Sequence, residues 1–413
     1  MTIFTNILYI FLAVVILLVM VVIHEFGHYT AGKLLDFKIT EFSVGFGPKI
    51  FQKRKKNGEL FSLRAIPLGG YCAFDGEDEE DEEEEDENET DDSARNVNPI
   101  NAATPFEGIE NNEKKEQNTA ENKRSRSLAD KMGEGDSFNA QKPWKRIVVL
   151  LSGALFNLLS AVIFSIIYIS VIGYASPSVL EVTPNGSGYY NELRGASIIG
   201  ADENGNPIYG DDGDEILAVN GKKISVLRTF EDLVAKVKLG ETVTFTVLRD
   251  GQTLDVDVSK QVIQPQDGDK YEGFGFVSMR SYKKVGFGSA LLYSVPFTGK
   301  MSWTILGTFG KLITGQLSIT SLSGPVGTIT QIADLSRENW RNILILLPLI
   351  ASNLAVFNLL PIPALDGSKV VFTLIEWIRK KPINRKIENI IHLIGIAFIF
   401  ALVIIVDLIR LVT

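Results

Sequence analysis

Two of the three histidines in this chain stand four residues apart, in His24-Glu25-Phe26-Gly27-His28. On a helix, positions i and i+4 share a face, so both imidazoles can hold one metal ion. Glu25 then falls beside the ion and not on it, where a general base for a bound water belongs. The string closes an apolar run from Ile3 to Ile23. Three such groups at the end of a membrane-length segment are costly unless paired or metallated. The alternative is two histidines satisfied at a helix end, with Glu25 as an ordinary cap.

A hydrolytic zinc usually takes three protein ligands plus water, often two His and one carboxylate. A third ligand is on offer far downstream, in the apolar stretch that closes Asn353 to Gly367. Pro348, Pro361 and Pro363 break that stretch, which membrane depth tolerates only where protein or a water cavity satisfies the backbone. Depth favours Asp366. His24 follows about 21 apolar residues, near 31 Å of helix, and Asp366 follows Arg341 by a comparable length. The competing reading makes Asp366 a turn residue after proline.

These residues need membrane helices to carry them. The chain has 413 residues, 45% hydrophobic and 22% charged, and the average conceals segregation. Four stretches, 3–23, 146–173, 342–378 and 387–411, reach the roughly 20 apolar residues that cross a bilayer. The first lacks a basic lead and a small-residue cleavage site, and so reads as a retained helix. Fifteen acidic residues lie between Asp75 and Asp92, so the formal charge of −9 leaves the remainder about +6. One cysteine, Cys72, excludes an intramolecular disulfide. Lys and Arg cluster after the first span, before the second (Lys142, Lys145, Arg146) and after the third (Arg379, Lys380, Lys381, Arg385, Lys386). By the positive-inside rule these loops are cytoplasmic, and both termini and 174–341 lie outside. The expected class is a polytopic α-helical membrane protein with four transmembrane helices. A membrane-associated β-hairpin region on the cytoplasmic side and an outer α+β domain complete it.

The expected divisions are 1–33, the first helix with the metal string; 34–74, a β region turned at Asn57-Gly58; and 75–141, an acidic, low-complexity, disordered insert. Then come 142–175, the second span; 178–263, a domain of period-two strands with turns at Asn220-Gly221 and Asp250-Gly251; and 285–335, an amphipathic interfacial region. The third span with the third ligand covers 340–378, and the fourth covers 385–412. Thr229 with Asp232 marks a capped helix inside the strand domain. His392, inside the fourth span, reads as a packed or interhelix hydrogen-bonded residue. The string from Gly213 to Gly221 resembles the signature of a PDZ domain, a fold that takes peptide ends as an added strand.

Taken in order, several motifs resemble the site-two protease family of intramembrane zinc metalloproteases, in its bacterial, sigma-E-regulator-like branch. They are the His24–His28 string, Gly45-Phe46-Gly47-Pro48, Pro67-Leu68-Gly69-Gly70-Tyr71, the PDZ-like string, Ser323-Gly324-Pro325-Val326-Gly327 and Asn353–Gly367. The resemblance implies that His24, His28 and Asp366 bind Zn2+ and that Glu25 activates water. It implies that Asn353 and Asn358 hold an unwound substrate backbone, while Gly45, Phe46 and Gly47 help present an edge strand to it. One motif departs: Ser152-Gly153-Ala154-Leu155-Phe156-Asn157 has Ala where the family carries Pro, which weakens any role for Asn157. The function implied is regulated intramembrane proteolysis of single-span proteins, such as anti-sigma factors or signal-peptide remnants, in a bacterial inner membrane with the active site near the cytoplasmic face. Expected partners are such substrates, the lipid bilayer and peptide ends at the PDZ-like domain, with no nucleic acid. The alternatives are a catalytically inactive PDZ-bearing scaffold, or another class of membrane zincin whose third ligand is a downstream Glu.

Overall fold

Hydrocarbon offers no hydrogen bonds, so a spanning segment must satisfy its own backbone, and the apolar runs of this chain do so as helices. The computed structural model describes residues 2–77, 136–182, 192–201, 207–264, 270–318 and 323–412. Its helices are α1 (Thr2–Leu34), α2 (Pro143–Val171), α3 (Phe230–Val234) and α4 (Phe287–Ile313). After these come α5 (Pro325–Glu338), α6 (Asn342–Leu359), α7 (Asp366–Arg379) and α8 (Arg385–Val412). Among the described residues, four are long and apolar enough to cross a membrane, namely α1, α2, α6 and α8.

The third span is interrupted at Pro361 and Pro363 but not at Pro348, which lies inside the unbroken helix α6. Its helix ends at Leu359, and Asp366 opens a separate helix. Pro361 and Pro363 explain the break, because each lacks an N–H and disfavours helical geometry in the residue before it.

The chain divides into two compact units. The first joins Met1–Asn157, Ser318–Asp334 and Leu354–Thr413; the second joins Leu158–Leu317 and Leu335–Asn353. In the first, strands Ile39–Arg54 and Leu60–Phe74 form the hairpin that Asn57-Gly58 promised, with Gly58 at φ 84°. Both strands bend, and residues 41–44 pair with 70–73 on one side and 60–63 on the other. Phe37, Phe74 and Phe138 stack together and bury against Ala31, Val149 and Leu150, which fixes the hairpin to α1 and α2.

That cluster corrects the expected insert of 75–141. Its C-terminal end is ordered: Phe138 is buried in the aromatic cluster, and Asp136 exchanges backbone hydrogen bonds with Asp36 and Lys38. At its other end Glu77 pairs with Lys369 at 2.7 Å. A composition average over the whole segment hid the one aromatic side chain that anchors it. The acidic run from Asp78 onward lies outside the described residues.

The second unit holds a sheet whose strands run, in spatial order, Phe276–Lys283, Tyr174–Val182, Glu215–Val219, Thr242–Arg249 and Gln252–Ser259. The sheet thus reaches beyond the 178–263 expected for it, because its outermost strand returns from residue 276. Val179, Ile216, Phe245, Val247 and Val258 form its core. Asn220-Gly221 and Asp250-Gly251 turn with positive φ at both positions, as two-residue hairpins require. Helix α3 is closed by the expected box, Thr229 with Asp232. Helix α4, the expected amphipathic one, contains Pro296 and is not among the membrane-length apolar helices.

Candidate metal centre

On α1 the four-residue spacing sets His24 and His28 on one face, both 7% exposed, with ring centroids 4.8 Å apart. Their Nε2 atoms lie 3.2 Å from each other. From the start of α7, Asp366 brings its Oδ2 to 2.9 Å from Nε2 of His24 and 3.3 Å from that of His28. Three donor atoms therefore form a triangle with edges of 2.9, 3.2 and 3.3 Å. Tetrahedral zinc with bonds near 2.0 Å has ligand–ligand edges of about 3.3 Å. Two imidazoles and one carboxylate are also the donor set of hydrolytic zinc sites, so the residues present fit that ion.

Outer partners set which ring nitrogen faces the triangle. His28 Nδ1 donates to the carbonyl of Val149 at 2.8 Å, leaving the Nε2 lone pair directed inward. Around Nδ1 of His24 stand the side-chain amides of Asn157 and Asn358, each with Nδ2 at 3.3 Å. For Nε2 of His24 to present a lone pair, Nδ1 must carry the proton and one amide must offer its oxygen. That is a half-turn between atoms of nearly equal size.

Close helix packing makes the arrangement possible. A β-carbon on Gly27 would sit 2.5 Å from the carbonyl oxygen of Ser152, so α1 and α2 meet backbone to backbone. A β-carbon on Gly153 would sit 2.6 Å from Cε1 of His24 and closer still to Nε2 of His28.

Glu25 is half-buried and accepts a hydrogen bond from the backbone of Cys72 in the hairpin. Gly70 lies beside it and packs onto the neighbouring strand, where a β-carbon would stand 2.7 Å from the Ser43 carbonyl oxygen. Asp366 is braced from two sides. Gly367 lets α7 start against the end of α6, where a β-carbon would meet the Leu359 carbonyl at 2.6 Å. Ala364, strained at φ 82°, donates its N–H to Nδ1 of His392 on α8 at 3.1 Å. His392 thus packs against Phe372 of α7 and accepts from the connection between α6 and α7.

The remaining candidates divide. Asn358 meets His24 directly. Asn353, in the second unit, is exposed on α6. Gly45 and Gly47 have φ of 85° and 80° and form a bend, with Arg64 Nη1 donating to the Gly47 carbonyl at 3.0 Å. Phe46 stacks on Tyr71 with centroids 6.3 Å apart. The stretch that lies beside Glu25 is therefore 70–72, and the Gly45–Gly47 bend packs onto that stretch. Residues 41–44, paired on both sides, are no free edge.

Sequence reasoning undervalued Asn157, which is fully buried against His24. A signal was present in retrospect: a lone Asn in an apolar span, four residues after a glycine. Gly153 itself carried no chemistry that a sequence could advertise.

The description "Peptidase family M50" matches residues 12–402. The chain is 28% identical to the "Regulator of sigma-W protease RasP" of Bacillus subtilis, over 94% of each chain. It is also 28% identical to the "Probable protease eep" of Enterococcus faecalis, over 94% of this chain and 95% of that one. A "Zinc metalloprotease RasP" of Geobacillus kaustophilus is similar at 28% identity, over 94% of each chain.

Proposed function

The chain belongs to peptidase family M50 and is a multi-pass membrane zinc metalloprotease of regulated intramembrane proteolysis; from that premise we propose that His24, His28 and Asp366 hold the zinc and Glu25 moves the protons. The convergence of the three donor atoms from residues up to 342 positions apart carries this reading. Bound there, zinc lowers the pKa of a water to about 7 and polarises the scissile carbonyl. Glu25 takes a proton from the water as its oxygen bonds to the carbonyl carbon, then delivers that proton to the amine nitrogen as the peptide C–N bond breaks. Val149 and the two asparagines fix the imidazoles, so little reorganisation accompanies the step.

A transmembrane helix keeps its peptide bonds in internal hydrogen bonds and must unwind before hydrolysis. The amide groups of Asn353 and Asn358 would receive the freed backbone groups. The hairpin stretch beside Glu25, backed by Gly45, Phe46 and Gly47, would pair with the extended segment. Substrates are single-span membrane proteins, of the class of anti-sigma factors or signal-peptide remnants. The positive-inside rule puts both termini outside, the zinc near the cytoplasmic face of the bacterial inner membrane, and the 174–283 sheet outside. That sheet, PDZ-like in its Gly213–Gly221 string, then acts as a filter that admits substrates already trimmed to a short outer stub.

The test is metal analysis of purified protein beside cleavage of a generic single-span substrate, for the wild type and Glu25→Gln. About one zinc per chain in both, with cleavage only in the wild type, supports the reading. Loss of zinc in Glu25→Gln would put that residue on the metal and overturn it.

A further inference from the structure

In the first unit, a cleft of about 540 Å3 opens where α2 and α8 begin and α7 ends. Four cationic side chains line it, Arg146, Lys380, Lys381 and Arg385, with Glu376 among them and Glu388 paired to Arg385 at 2.6 Å. The Glu376 carboxylate is already occupied. It accepts from Arg146 Nη1 at 2.7 Å, from the Ile383 backbone at 3.0 Å, and lies 3.0 Å from Arg385 Nη2. Lys380 and Lys381 pair with no carboxylate among the described residues. Arg146 is only 5% exposed, with its guanidinium over the Phe138 ring and held by Glu376.

Two further features point the same way. Helices of 29 and 28 residues both present their N-termini here, and each N-terminus carries a partial positive charge. Both helices are membrane-length, so the cleft sits at the level of the lipid headgroups. Trp377, at its wall, and Trp144, at the start of α2, are 49% and 44% exposed, as interfacial tryptophans are. Unpaired cations, two helix N-termini and an aromatic rim at one depth call for an amphiphile with an anionic head.

We propose that this cleft binds the phosphodiester headgroup of an anionic membrane lipid. A phosphodiester has acceptor oxygens for the two lysines, and its acyl chains extend along the apolar stretches of α2 and α8 that follow their charged first turns. The inference rests on the membrane reading of those helices and not on the protease chemistry. Inorganic phosphate offers the same oxygens without the chains, so it serves as the competing source.

The test uses the full-length protein in nanodiscs of phosphatidylcholine doped with phosphatidylglycerol, with retained lipid counted by native mass spectrometry. The comparison is the double variant Lys380→Ala/Lys381→Ala, both positions exposed, with zinc content as the check on folding. We expect preferential retention of phosphatidylglycerol, weakened at least about tenfold in the variant, since each lysine near an anionic surface is worth roughly a factor of five. Unloading by millimolar inorganic phosphate alone would show a free-anion site and overturn the lipid assignment. Equal retention of both lipids, or no change in a zinc-loaded variant, would overturn the proposal outright. So would retention that emerges only when residues 78–135 are deleted, because the acidic run would then be the occupant.

Discussion

Gly153 lies directly against His24: a β-carbon on the glycine would stand 2.6 Å from Cε1 of the imidazole. The metal triangle therefore depends on a residue with no side chain, on a helix that contributes no ligand. Helix α2 supplies the space at Gly153, the orienting carbonyl at Val149 and the amide at Asn157.

Gly153→Ala should displace the rings and lose zinc. The obstructing neighbours are two packed imidazoles, and α1 already touches the Ser152 backbone at Gly27, so neither helix can withdraw cheaply. We expect at least a tenfold fall in zinc affinity, by analogy with the loss of orienting partners at metal sites, and a matching fall in cleavage. Zinc titration with a competing chelator measures it.

Glu25→Gln should lose cleavage by about a hundredfold or more, the scale of general acid–base catalysis, and keep its zinc. Glutamine can still accept from the Cys72 backbone, so the local fold survives. Single-turnover cleavage with metal content measured on the same sample separates the two effects.

Asp366→Asn should lose both zinc and activity, because an amide is a much poorer ligand than a carboxylate. Full zinc and full activity in this variant would place the third ligand elsewhere.

Asn157→Ala tests the imidazole's orientation without touching the triangle. We expect a loss of about ten- to a hundredfold in zinc affinity or activity, with Asn157→Asp recovering part of it, since a carboxylate can accept the Nδ1 proton. A purely structural role for Asn157 would not give that recovery.

Glu59 gives a pH signature outside the membrane spans. Burial alone would raise its pKa, but hydrogen bonds from Lys33, Lys55 and Asn57 outweigh this and hold it at about 2, below the ordinary 4.5. A depressed carboxylate contributes stability that is fully present above pH 4.5 and is lost as pH falls toward 2. The contribution is at most about 3 kcal/mol, from the size of the shift. Thermal midpoints of the wild type and Glu59→Gln should differ most at pH 6, draw together below about pH 4.5 and meet near pH 2.

What a local pattern encodes, the sequence determined by itself. The i, i+4 spacing of His24 and His28 and the apolar run before them need only helical geometry. Gly58, Asn220-Gly221 and Asp250-Gly251 need only the left-handed preference of their residues, and the Thr229–Asp232 box is complete within four positions. Asp366 was legible as a candidate because a carboxylate among prolines in an apolar stretch is expensive. Only the tertiary structure closed the triangle, since Asp366 reaches His24 across 342 positions and no periodicity spans that distance. It also decided that Asn157 borders His24, that Phe138 anchors the end of an otherwise acidic segment, and that the 70–72 stretch flanks Glu25. Each of those depends on which face of one element meets another. Gly153 is the limiting case, because its contribution is empty space, and empty space has value only once the neighbour that fills it is in place.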